Sequence, residues 1–208
     1  MFLKLSMMAM ILLLTICKVF FPIEKDIFNE TQIQIEQLQN IINFTNEIKN
    51  KKNKIKLIIE EYKPKIVDTL KQSITDEIYD ATIKYTNLDI ELICSLIIQE
   101  SGFDHVAVSS MNAIGIMQIL PSTGKDLVKY ENLKWNLKLL YNPVINIRLG
   151  TRYLSYMIDM YGLHGGLAAY NGGFRVASAW IKNKMHLIPV ETKSYVPNII
   201  RIYQEYKI

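Results

Sequence analysis

From about residue 66 the apolar side chains of this chain recur three and four residues apart, and the segments between hold residues that start and stop helices. This pattern restricts the fold more than any other feature. Thr86 with Asp89 makes an approximate capping box, the helix that follows runs to Gln99, Glu100 and Ser101, and Gly102 suits its end. Asn142 and Pro143 form an N-cap and first-turn pair. Ile147, Thr151, Leu154, Ile158 and Tyr161 then keep helical spacing up to Gly162. A short helix is expected over 167–171, stopped by Gly172 and Gly173. Another is expected over 174–183, and a last one has Pro197 in its first turn and reaches about Tyr206. Strand signals are confined to residues 113–120, with Gly115 inside them. The expectation is a mainly α-helical domain over 66–208.

Ahead of that domain the sequence has two characters. Residues 1–22 read as a leader. Lys4 is a short positive start, Leu5 to Cys17 is almost unbroken apolar sequence, and Pro22 closes a second apolar patch. The run is short for a membrane span of about 20 residues and suits a signal peptide. There is no small-x-small cleavage site, so a retained membrane anchor stays open. Leu14-Thr15-Ile16-Cys17 leaves lipidation open as well. All three readings export the rest of the chain. Residues 23–65 read as a helical stalk, with Phe28, Ile35 and Ile42 seven apart and Leu38, Ile41 and Ile48 on the same broad face. A helix packed on the following domain is favoured over a self-associating coiled coil, because the repeat is short. The stretch from Lys49 to Lys56 holds five lysines and no acid, and reads as a solvated face.

Composition narrows the chemistry. A net charge of +4 is mild. It leaves no electrostatic footprint of a nucleic-acid binder, and it is compatible with work near an anionic polymer. Cys17 and Cys94 suggest no disulfide framework. Cys94, among Leu92, Ile93, Leu96 and Ile97, reads as a small buried hydrophobe. His105, His164 and His186 lack ligand spacing, so neither a metal nor a cofactor is expected.

Glu100 stands out against this background. Ile97, Leu96 and Ile93 lie three, four and seven residues before it, so it continues the buried stripe. It also lies in the last turn, where the helix dipole disfavours a second negative charge. Both effects raise its pKa, and a carboxyl protonated near neutral pH can hand a proton to a leaving oxygen. Geometry alone also admits a glutamate whose stem packs while its head reaches solvent. Asp104 follows the helix-ending Gly102 and is expected to point elsewhere; Asp89 is used at the helix start.

Motifs in order decide between these. Glu100-Ser101-Gly102-Phe103 is followed by Ser109, then by Asn112-Ala113-Ile114-Gly115-Ile116-Met117-Gln118-Ile119-Leu120-Pro121-Ser122-Thr123. Later come Asn142-Pro143, Asn146-Ile147, Gly150, Tyr153-Leu154, Ala169-Tyr170-Asn171 and Glu191-Thr192 with Tyr195-Val196. Over about residues 75–206 they resemble the catalytic domain of the soluble lytic transglycosylases, glycoside hydrolase family 23 of the lysozyme-like superfamily. The departures are small: Ile116 stands for a usual leucine and Asn112 for a common glycine.

The resemblance implies a mainly α, goose-type-lysozyme-like domain with a deep saccharide cleft. It implies Glu100 as the single catalytic acid and base. It places Ser109 near the substrate's N-acetyl group, puts Gln118 on the cleft wall with Met117, Leu120 and Thr123, and makes Tyr170 a residue that positions the catalytic centre. Asn171 and Glu191 are implied to touch substrate, whereas Tyr153 and Leu154 read as core. The implied partner is the glycan strand of peptidoglycan, cut between N-acetylmuramic acid and N-acetylglucosamine to leave a 1,6-anhydro end. The implied place is the periplasm, or a membrane-anchored position facing the cell wall with inner-membrane contact through the N-terminal segment. Two other readings stay open: a muramidase that uses water, and a glycan-binding accessory protein of an envelope secretion or wall-assembly complex.

Overall fold

A computed structural model describes the backbone of residues 2–207 and the side chains of residues 9–13, 15, 16 and 28–207. Six helices carry the chain: α1 (Phe2–Tyr62), α2 (Asp68–Lys84), α3 (Ile90–Ser101), α4 (Pro121–Leu127), α5 (Pro143–Ile181) and α6 (Val190–Tyr206). Two compact units divide it, Met1–Asn50 and Lys51–Ile208.

The first unit is helical. Phe28, Ile33, Ile35, Leu38, Ile41, Ile42 and Phe44 are all exposed. Most of the leader read in residues 1–22, including Lys4 and Cys17, lies outside the described side chains. Among the described residues no helix is long and apolar enough to cross a membrane.

In the second unit the end of α1 contributes Ile55, Ile58 and Ile59 to the core. Lys54 ties it down, reaching Glu91 on α3 at 2.6 Å and the Tyr206 carbonyl on α6 at 2.6 Å. Helix α3 packs on α6 and α2, and α5 packs on α2 and α6, so α3 lies between two neighbours. Its Ile93, Leu96 and Ile97 are fully buried, each contributing about 1.5–3 kcal/mol. The α2–α5 contact carries a bidentate ion pair, with Arg148 donating to Glu77 at 2.9 and 2.6 Å.

The helix ends show where the sequence signals acted. Asp89 caps α3 alone: its Oδ1 accepts from the Leu92 N–H at 2.9 Å, and Thr86 lies outside the cap. Gly102 ends α3 in the left-handed region at φ 56°. Asn142 caps α5, with Pro143 at its start. Gly162 (φ 68°) and Gly173 (φ 77°) break α5 into three helical pieces, where the sequence reading placed breaks. The last helix departs from expectation. It begins at Val190, so Pro197 is interior and not in the first turn. Pro197 is exposed, and its missing N–H frees a single carbonyl, which the exposed face leaves open to water. Residues 104–120 form a tight double reversal held by the isolated bridges Val108–Ile114 and Ile114–Ile119.

Candidate active site

Glu100 is placed by the register of α3. The three buried residues before it set the face, and the left-handed Gly102, whose N–H reaches the Ile97 and Ile98 carbonyls, stops the helix directly after it. The chain then turns through Phe103, also left-handed at φ 65° and fully buried. The half-buried Glu100 carboxylate accepts a hydrogen bond from the Tyr195 hydroxyl on α6. Burial pushes the Glu100 carboxyl up to about 7. The Tyr195 bond opposes that rise, and the negative charge of Glu191 adds to it. The Tyr170 and Tyr195 hydroxyls are pushed well above the usual tyrosine value, first by burial and then by the Glu100 charge. Both therefore stay neutral donors around a carboxyl poised near neutrality.

Residues 114–118 form a wall tethered from three directions. Ser101 donates to the Ile116 carbonyl at 2.7 Å. Tyr170 donates to the Met117 carbonyl at 2.8 Å. Asn146, fully buried on α5, accepts from the Met117 N–H at 2.8 Å and donates to the Ile114 and Leu140 carbonyls at 2.9 and 2.8 Å. Gly115 fits only as glycine. Its φ is 85°, and a Cβ there would lie 2.3 Å from the Leu140 carbonyl oxygen and 2.4 Å from Asn146 Nδ2.

A cavity of about 350 Å³ opens over the wall, lined by Gln118, Thr123, Tyr170 and Asn171, among others. Four of the residues proposed from sequence to bind substrate thus meet in one place. A second cavity of about 530 Å³ shares Thr123, Leu127 and Tyr153 with it and continues to Tyr130, Tyr156 and Phe174. Asn171 joins the two sides of the site: its Nδ2 donates to Glu191 at 3.2 Å, and its Oδ1 accepts from the Thr192 hydroxyl at 2.6 Å.

Other expectations change. Met117 does not offer its side chain to a ligand, because it is fully buried and packs where a Cβ on Gly150 would touch its sulfur; its backbone is what the wall uses. Ser109 does not line the 350 Å³ cavity. Its Oγ accepts from the Met111 and Ala113 N–H groups, shaping the turn and leaving its own O–H to donate. Tyr170 acts on the wall, since its hydroxyl donates to the Met117 carbonyl. Asp104, by contrast, is engaged elsewhere as expected: it pairs with Lys63 at 3.6 Å and accepts from the Val106 N–H.

Two contributors escaped the sequence reading. Tyr195 holds the carboxyl from 95 residues away, and only its place in the Glu191–Val196 motif could have signalled it. Tyr153, read as core, stacks on Tyr170 with ring centroids 5.4 Å apart and lines both cavities.

Comparison with known proteins gives the site a context. The family model described as the transglycosylase SLT domain matches residues 78–191. A putative soluble lytic murein transglycosylase of Haemophilus influenzae is 32% identical over 145 residues, which cover 64% of this chain and 24% of that protein. The structure is similar to the 70 kDa soluble lytic transglycosylase from Escherichia coli, with a TM-score of 0.57 and 27% identity over 64% of this chain and 24% of that one. It is also similar to an inactive glutamate-to-glutamine mutant of the lytic transglycosylase Slt from Pseudomonas aeruginosa, with a TM-score of 0.56 and 26% identity over 63% of this chain and 23% of that one. The chain thus spans about a quarter of the length of these relatives.

Proposed function

Because the chain belongs to the transglycosylase SLT family, we propose that it cleaves peptidoglycan glycan strands between N-acetylmuramic acid and N-acetylglucosamine without consuming water. The observation that carries this reading is Glu100, a half-buried carboxyl with a pKa of about 7 that accepts from Tyr195 and whose charge is felt by Tyr170, a residue that lines a cavity of about 350 Å³.

Ordinary glycosidases divide the work between two carboxylates. Here one group does both halves. Protonated Glu100 gives its proton to the glycosidic oxygen as the bond to C1 breaks. The muramoyl acetamido oxygen stabilises the cationic C1. Glu100, now a carboxylate, takes the proton from the sugar's C6 hydroxyl, whose oxygen attacks C1 and closes the 1,6-anhydro ring. The proton lost in the first half is regained in the second, so the enzyme ends as it began. A pKa near the working pH suits a group that must both give and accept. Tyr195 and Tyr170 stay protonated throughout and orient the carboxyl and the wall. Gln118, Thr123 and Asn171 meet the sugar, the Ser109 hydroxyl serves the acetamido group, and Glu191 lies at the far wall.

Export through residues 1–22 would place this activity in the periplasm, either free or anchored at the inner membrane. The test is mass spectrometry of the soluble products released from purified peptidoglycan by the full chain. Muropeptides one water lighter than the reducing sugar, absent with Glu100→Gln, are expected. Products with free reducing ends would make this a muramidase instead, with Glu191 as the first residue to test for activating water. No products from the folded protein would favour an accessory protein that binds glycan for an envelope complex.

A further inference from the structure

The Asn142–Asn146 segment is more than a helix start. Asn142 caps α5. Asn146, four residues on, is fully buried and spends its amide on three main-chain groups of two other segments. A buried amide satisfied this fully fixes what it touches, since each broken bond would leave a desolvated polar group. What it touches is the stretch on either side of Gly115, and that stretch presents Gln118.

Gln118 has an unusual posture. Its backbone is left-handed at φ 48°, and its N–H bonds the Gly115 carbonyl at 3.1 Å. Its side-chain Nε2 donates back to the Gly115 carbonyl at 2.9 Å and to the Ala107 carbonyl at 3.2 Å. Both amide hydrogens are thereby engaged inward. Two carbonyls as partners fix which end of the amide is nitrogen, and Oε1 is the end left for the cavity that Gln118 lines.

We propose that Asn146 is a positioning residue for ligand binding: by clamping the main chain around Gly115 it holds Gln118 with Oε1 as a fixed acceptor, so the cavity wall reads a hydrogen-bond donor on the glycan, a sugar hydroxyl or an acetamido N–H. This rests on the glycan-cleaving reading of the site. Gly115 completes the device, because any side chain there would meet the Asn146 amide. Asn146 itself touches no ligand; its effect passes through Met117 and Gly115.

The test uses the full chain carrying Glu100→Gln, so that ligand is bound and not consumed, with the chito-oligosaccharide pentamer as the probe and calorimetry as the readout. Asn146→Ser is expected to weaken binding about tenfold, the loss of roughly one well-placed hydrogen bond. Gln118→Glu keeps an acceptor but cannot donate to the two carbonyls, and is expected to weaken binding by a similar factor. The double variant is expected to be no weaker than the weaker single one, because both changes remove one arrangement. In the otherwise wild-type enzyme, Asn146→Ser should raise KM for soluble glycan strands about tenfold while the midpoint near pH 7, where activity falls as pH rises, stays where it is. Unchanged affinity in folded Asn146→Ser, or losses that multiply in the double variant, would overturn the proposal. If Asn146→Ser does not fold, Gln118→Glu decides: unchanged affinity there overturns the proposal equally. Absence of any pentamer binding by the parent protein, together with no products from wild type, overturns the glycan reading itself and the proposal with it.

Discussion

Helix α3 and the stretch of α1 from Phe28 to Phe44 carry the same kind of message in sequence, apolar residues at helical spacing, and meet opposite fates. In α3 the stripe is buried to its end and takes a carboxylate in with it. In α1 the apolar side chains of that stretch are exposed, and among the described residues of the helix the first buried one is Ile55. Periodicity therefore specifies a helix and a face, but not what covers the face. Coverage comes from other segments, and for α3 these are α2 and α6.

The contrast can be tested by equal cuts on the two stripes. Leu96→Ala, at a fully buried position, should cost about 3 kcal/mol in urea unfolding followed by tryptophan fluorescence. A loss below about 1 kcal/mol would mean that the core around α3 is looser than its burial implies.

Next in size is the bond that makes α3's end chemical. Tyr195→Phe keeps the ring but removes the hydroxyl that restrains the rise of the Glu100 pKa. The midpoint at which activity is lost as pH rises should move above about 7, so turnover at pH 8 relative to that at pH 6 should rise several-fold. An unmoved midpoint would assign Tyr195 to packing alone.

A smaller effect follows from linkage. The Glu100 pKa is raised on folding, from 4.5 to about 7. Between those values the folded state holds more protons than the unfolded one, so stability falls as pH rises through this window, and the full penalty is present above it. Glu100→Gln removes the penalty. It should therefore be more stable than wild type by roughly 1–3 kcal/mol at pH 8, with the difference vanishing below about pH 4.5. A gain independent of pH would show that burial of the charge is not its source. The smallest effect belongs to the other stripe: Leu38→Ala, at an exposed position, should change stability by less than about 0.5 kcal/mol. A larger loss that grows with protein concentration would show that copies of the chain cover this face.

What was legible in the sequence was local. Gly102, Asn142–Pro143, Gly162 and Gly173 act where they stand, through backbone dihedrals and caps, and each breaks or starts a helix as read. The face of Glu100 was legible from its neighbours at three, four and seven residues, but it was the order of the motifs, not the spacing, that singled it out. The misses are long-range or context-dependent. Thr86 and Asp89 fitted a capping box, yet Asp89 alone suffices once its backbone is extended. Pro197 looked like a helix start, but an exposed proline is tolerated inside a helix that begins at Val190. Tyr153 has the spacing of a core residue, and the two cavities it lines are built from segments distant in sequence. Met117 stands next to Gln118 in one motif, yet Met117 is fully buried while Gln118, left-handed at φ 48°, lines the cavity.

The Glu100–Tyr195 bond also sets a clock. Glu100 leaves the ribosome long before α6, and α6 supplies both the tyrosine and much of the cover over α3. Until that last helix docks, the carboxyl faces water, where its ordinary pKa of 4.5 leaves it ionised at neutral pH and unable to act as an acid. Before α6 has docked, this carboxyl therefore has no proton to give at neutral pH, and its capacity as an acid arrives with the last helix.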